Sequence, residues 1–97
     1  MDKILTMLAE ELAKYSSIEK AVLFGSRARG DNDERSDYDI AVFGELSHAD
    51  KVKLRTLTDD GLPTLHKIDL VFVNEIANAA LMENIQREGV CFYGKVK

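Results

Sequence analysis

Three short apolar runs decide most of what this chain can become. "KAVLF" (20–24), "YDIAVF" (38–43) and "KIDLVFV" (67–73) are of strand length, and each ends at a glycine or polar turn. Successive side chains on a strand point to opposite faces. In the second run Tyr38, Ile40 and Val42 share one face, while Asp39, Ala41 and Phe43 share the other, which Asp37 extends. In the third, Ile68, Leu70 and Phe72 form the face expected under helices, and Asp69 points the same way as Val71 and Val73. If these two strands are neighbours, as sequential strands usually are, Asp37, Asp39 and Asp69 converge on one uncovered face.

The rest of the chain supplies partners for such a sheet. Residues 2–16 predict an amphipathic helix capped by Asp2, with Ile4, Leu5, Leu8, Leu12 and Tyr15 at helical spacing. "SHADKVKLRTLTDD" (47–60) predicts a helix with Ser47 as its cap, ended by Gly61 and Pro63. A third helix is expected over 74–88, between Asn74 as cap and Gly89 as stop, and "VCFYG" (90–94) as a last edge strand. The order α-β-turn-β-α-β-α-β describes one α/β (α+β) domain over residues 1–97, a single sheet with helices packed against it.

Charge and cysteine content narrow the partners. A net charge of −4 argues against a broad grip on a nucleic-acid backbone. It leaves room for a single nucleotide whose charge a metal neutralises. Cys91 stands alone, so neither an intramolecular disulfide nor a cysteine metal cluster can form, and it is read as a buried small residue. "MDKILTMLAEELAKY" is broken by Asp2, Glu10 and Glu11, which suits neither a signal peptide nor a membrane span; a cytoplasmic protein is expected.

The chemistry lies in residues 25–40, "GSRARGDNDERSDYDI", together with Asp69. Gathered carboxylates repel and raise one another's pKa unless a cation joins them. Mg2+ suits such oxygen ligands and completes its shell with water and substrate phosphates. Two such ions can hold the attacking and leaving oxygens of a phosphoryl or nucleotidyl transfer. A strand ending in Gly25-Ser26 before a short helical turn can offer backbone N–H groups and a hydroxyl to phosphate oxygens. Arg27 and Arg29 could add positive charge there, or could pair on the surface with Asp31, Asp33 or Glu34.

Gly25-Ser26, ten intervening residues, Asp37-Tyr38-Asp39 and then Asp69 on a later strand resemble the signature of the DNA polymerase β-type nucleotidyltransferase superfamily. The small size and "GSRARG…SDYDI" are most similar to its minimal nucleotidyltransferases, the MNT antitoxins of HEPN/MNT toxin–antitoxin pairs. The resemblance implies a polymerase β palm-like fold, a small mixed sheet with helices on one face. It implies that Asp37 and Asp39 ligate two magnesium ions carrying the triphosphate. Asp69 would ligate the catalytic ion and help activate the attacking hydroxyl. Gly25 and Ser26, with Arg27 and Arg29 beside them, would bind the nucleotide. The activity implied is transfer of AMP from ATP to a tyrosine of an all-helical HEPN toxin, in a hetero-oligomer.

Two other functions fit the same residues: an antitoxin that works by binding alone, and a transferase acting on a small aminoglycoside-type molecule. The short chain has little room for an acceptor pocket of its own, which favours a protein acceptor. "GSRARGD" is not a P-loop, because Asp31 stands where the phosphate lysine must be. Tyr38 is read as a packing residue, Asp59-Asp60 as a helix end, and His48 and His66 as structural. Val90, Phe92 and Tyr93 are read as an edge strand packing on the sheet rather than a partner surface.

Overall fold

The computed structural model describes residues 2–31, 36–62, 64 and 66–94; Pro63, Asp33 and Glu34, named above, lie outside them. Asp2 caps the first helix, α1 (Lys3–Leu12), its Oδ1 accepting from the Ile4 amide at 2.7 Å and the Leu5 amide at 3.4 Å. α1 stops at Leu12 rather than running to residue 16. Two turns follow, Tyr15 N–H to Leu12 O and Ile18 N–H to Tyr15 O, which deliver Ile18 fully buried into the first strand.

That strand, β1 (Ile18–Phe24), leads through Gly25 into the short helix α2 (Ser26–Arg29). β2 (Tyr38–Gly44) follows, then α3 (His48–Thr56), capped by Ser47, whose last turn loosens into a π-turn over Leu57–Gly61. After β3 (Ile68–Phe72) comes a 3-10 turn (Val73–Glu75), then α4 (Ala79–Glu88) and β4 (Val90–Gly94). The expected cap at Asn74 is corrected. Asn78 begins α4, its Oδ1 accepting from the Ala80 and Leu81 amides at 2.9 and 3.2 Å. Asn74 instead donates its side-chain amide to Gly44 O at 3.0 Å.

Among the described residues the strands form one mixed sheet in the order β3-β2-β1-β4. β1 pairs antiparallel with β2 and β4, and β2 pairs parallel with β3. The alternation predicted from sequence holds. Tyr38, Ile40, Val42, Ile68, Leu70 and Phe72 join Leu5, Leu8 and Leu12 of α1 and Leu54 of α3 in the main core. The opposite face is covered as well, in part, where Ile85 of α4 packs with Val22, Phe24 and Ala41. Helices therefore lie on both faces, and on the second face Asp37 and Asp69 stay exposed. The second half of β1, residues 21–24, is buried from both sides, which is why it is an unbroken apolar run, whereas Glu19 and Lys20 are exposed.

Two smaller expectations change. Cys91 is exposed on the edge strand β4, its thiol donating to Tyr93 O, rather than buried. Phe92 and Tyr93 pack against the core as expected, whereas Val90 is exposed. No helix among the described residues is long and apolar enough to cross a membrane.

Candidate active site

The site begins where β1 runs out. Gly25 takes φ +77° and ψ −157°, a conformation open to glycine almost alone. A Cβ at this position would also collide with the carboxylate of Asp39. Glycine is thus required twice over, by the backbone and by the acid that lies against it. The chain then turns into α2, with the Ala28 and Arg29 amides donating to Gly25 O, both at 3.1 Å. Gly30, in the left-handed conformation, closes the turn by donating to Ser26 O at 3.0 Å. Ser26 stands at the start of this turn, where the first amides of a helix have no partner inside it.

β2 supplies the acids. Asp39 sits opposite Phe24 of β1 on one side and in register with Asp69 of β3 on the other. Asp37 lies just before β2 and is exposed, as is Asp69, while Asp39 is half-buried. Burial raises the Asp39 pKa above its ordinary value, and the charges of Asp69 and then Asp37 raise it further. Arg29 and Lys67 pull it back. The structure therefore brings together the three carboxylates that alternation and spacing singled out, beside the Gly25-Ser26 turn.

Among the described residues no group of three or more His, Cys, Asp or Glu side chains is arranged to hold a metal ion. Carboxylate oxygens are nonetheless donors of the kind a divalent cation takes. An excess of negative charge around a half-buried carboxylate is relieved by a cation, and magnesium takes one or two carboxylates with substrate phosphates and water in the remaining places.

The arginines go to different sides. Arg29 pairs with Asp31 and with Glu88 of α4, both at 3.1 Å, and its charge reaches Asp39. Arg27 turns to the other face of β2, its guanidinium 4.0 Å from the centroid of the Tyr38 ring. Its Nε donates to Ser36 O at 3.0 Å, and a terminal nitrogen lies 3.4 Å from His66 Nδ1. Tyr38 is buried, its hydroxyl donating to Asp2 Oδ2 at 2.7 Å, and burial with that bond pushes its pKa up to about 12.

Two contributors escaped the sequence reading. Lys67 precedes Asp69 by two positions and so shares its face, a signal that period-two alternation contains. Glu88 meets Arg29 across 59 residues of chain, and nothing local announces it.

A family model, Polymerase beta, Nucleotidyltransferase, matches residues 6–97. The chain belongs to the polymerase beta nucleotidyltransferase family. No curated protein sequence matches this nucleotidyltransferase domain. Solved structures resemble it closely in fold. A chain from a toxin–antitoxin crystal structure with AMP-PNP gives a TM-score of 0.69 at 22% identity, covering 98% of this chain and 75% of that one. A chain from a tri-AMPylated Shewanella oneidensis HEPN toxin in complex with MNT antitoxin gives 0.60 at 20% identity, with coverages of 94% and 73%. A chain from the toxin–antitoxin MntA-HepT gives 0.59 at 20% identity, with coverages of 93% and 73%. At these identities the likeness is one of fold, and it matches the mixed sheet and its helices in this nucleotidyltransferase.

Proposed function

We propose that this chain is an MNT antitoxin that transfers AMP from ATP to a tyrosine hydroxyl of a HEPN toxin, in a complex with that toxin in the cytoplasm. The observation that carries the reading is the in-register pair Asp39–Asp69, set beside Asp37 and against Gly25. The kind of acceptor is suggested by the similar structures, one of which holds a tri-AMPylated HEPN toxin with MNT antitoxin.

In this reading Asp37, Asp39 and Asp69 are the residues that would hold the magnesium. When bound, magnesium would supply the positive charge that neutralises the triphosphate. The Gly25-Ser26 turn donates its amides and the Ser26 hydroxyl to the β- and γ-phosphates. Arg29 contributes positive charge at the same end, and Arg27 adjoins it. The tyrosine oxygen bonds to the α-phosphorus, the bond from that phosphorus to the bridging oxygen breaks, and pyrophosphate leaves. The hydroxyl proton passes to Asp69, the carboxylate beside Asp39 and exposed to the acceptor.

The test is the intact mass of the HEPN protein encoded beside this gene, after incubation with this protein, ATP and Mg2+. Added AMP mass that disappears with Asp37→Asn/Asp39→Asn, and with EDTA, is the expected result. A stable complex without added mass would mean neutralisation by binding alone. Neither mass nor complex would overturn the protein acceptor in favour of a small hydroxylated molecule.

A further inference from the structure

Among the described residues the Arg27 side chain meets two segments, and each lies next to one part of the site. Arg27 itself follows Ser26. Its Nε holds the carbonyl of Ser36, the residue before Asp37. Its guanidinium covers the ring of Tyr38, which stands between Asp37 and Asp39. Its outer nitrogen reaches His66, three residues ahead of Asp69, and the His66 ring also meets Tyr38 edge-on at 5.6 Å. The Tyr38 amide donates to Lys67 O at 2.9 Å, tying the same two segments through the backbone. From behind the sheet, Tyr38 is anchored by Asp2. Burial pushes the Asp2 pKa up, but the bonds from Tyr38, Ile4 and Leu5, with the charge of Arg27, outweigh it and hold that carboxyl below its usual value.

We infer that Arg27 is a positioning residue for the nucleotidyl transfer, a clasp that sets the phosphate turn, the Asp37–Asp39 pair and the segment leading to Asp69 at fixed distances from one another. The inference rests on the function proposed above and narrows the part Arg27 plays in it, from contact with phosphate to work done through Tyr38, Ser36 and His66. A lysine cannot replace it there. Its ammonium is a point charge, whereas the planar guanidinium covers the ring and still donates from its edge to Ser36 O. Against a phosphate, by contrast, a lysine serves well.

The experiment compares Arg27→Lys and Arg27→Gln with the unmodified protein by steady-state transfer to the toxin and by amide hydrogen exchange. Both variants are expected to lose about 10- to 100-fold in kcat, as small misplacements of reacting groups do, with the KM for ATP changed less than about threefold. In both, amides of 36–39 and 66–69 exchange faster while those of α1 do not. If the glutamine variant fails to fold, the lysine variant decides alone. Lysine restoring both kcat and exchange, or a raised KM for ATP with exchange unaltered, would overturn the inference and return Arg27 to the phosphates. Exchange needs no toxin, so an unmodified protein inactive toward its toxin would count against the proposed function while the exchange pattern still judged the clasp.

Discussion

At the scale of the residue, Asp39 carries the conflict that defines the site. It is half-buried against a glycine and beside two other acids, so its charged form is held at a cost in the folded chain. The sign follows from linkage. A carboxyl whose folded pKa is raised holds its proton longer when folded, so stability falls as pH rises from the unfolded value through the folded one. Asp39→Asn is therefore expected to abolish transfer yet melt at a higher temperature than the unmodified protein at neutral pH in metal-free buffer. The difference should shrink as pH falls toward the ordinary aspartate range. Thermal melts in EDTA at several pH values check this; a lower melting temperature for the variant at neutral pH would contradict it. Asp39 and Asp69 were readable in the sequence because alternation needs only local register. The use of Arg27 was not, since a guanidinium can meet a phosphate, a surface acid or a ring, and only the fold places Tyr38 beneath it.

Among the elements, the instructive case is the start of α4. Asn74 and Asn78 are equally good capping residues by type, and hydrophobic spacing runs through both. The structure chooses Asn78 because Val73 and Ile76 are needed against the second cluster, which holds the intervening chain out of helix. Asn78→Ala should cost about 1 kcal/mol, the usual worth of a lost cap. Asn74→Ala loses one exposed bond to Gly44 O and should cost less, about 0.5 kcal/mol. Urea midpoints of the two variants rank them, and the reverse ranking would show that the helix begins at Asn74 in solution. Asp2 and Ser47 cap as read, whereas α1 ends at Leu12, before residue 16, and β1 begins at Ile18, before residue 20. Cys91 went the other way: it is exposed on edge strand β4, although Phe92 and Tyr93 beside it pack against the core.

Over the whole molecule, the second face of the sheet is shared between packing and chemistry. Strand faces could be assigned from sequence, but which helix crosses to the far side depends on contacts between distant segments. Ile85, almost fully buried, is the centre of that cover, with Val22, Phe24 and Ala41 beneath it. Ile85→Ala should cost about 2–5 kcal/mol, a large share of the roughly 5–15 kcal/mol that holds a small domain folded. Denaturant unfolding measures it, and a loss below about 1 kcal/mol would mean α4 is not a fixed part of the core. α4 is also tied to the Gly25-Ser26 turn by Glu88 and Arg29, an exposed pair that contributes little to stability by itself.

The parallel ladder between β2 and β3 has a use for anyone rebuilding this protein. Asp39 and Asp69 face each other across it, so their spacing is that of neighbouring strands, about 4.8 Å between backbones, whatever length of chain joins them. The crossover between those strands is therefore a place to splice. Provided side chains still fill the positions of Leu46 and Leu54 in the core and His66 is kept, that stretch can be lengthened, exchanged or opened into new termini while the two acids keep their separation.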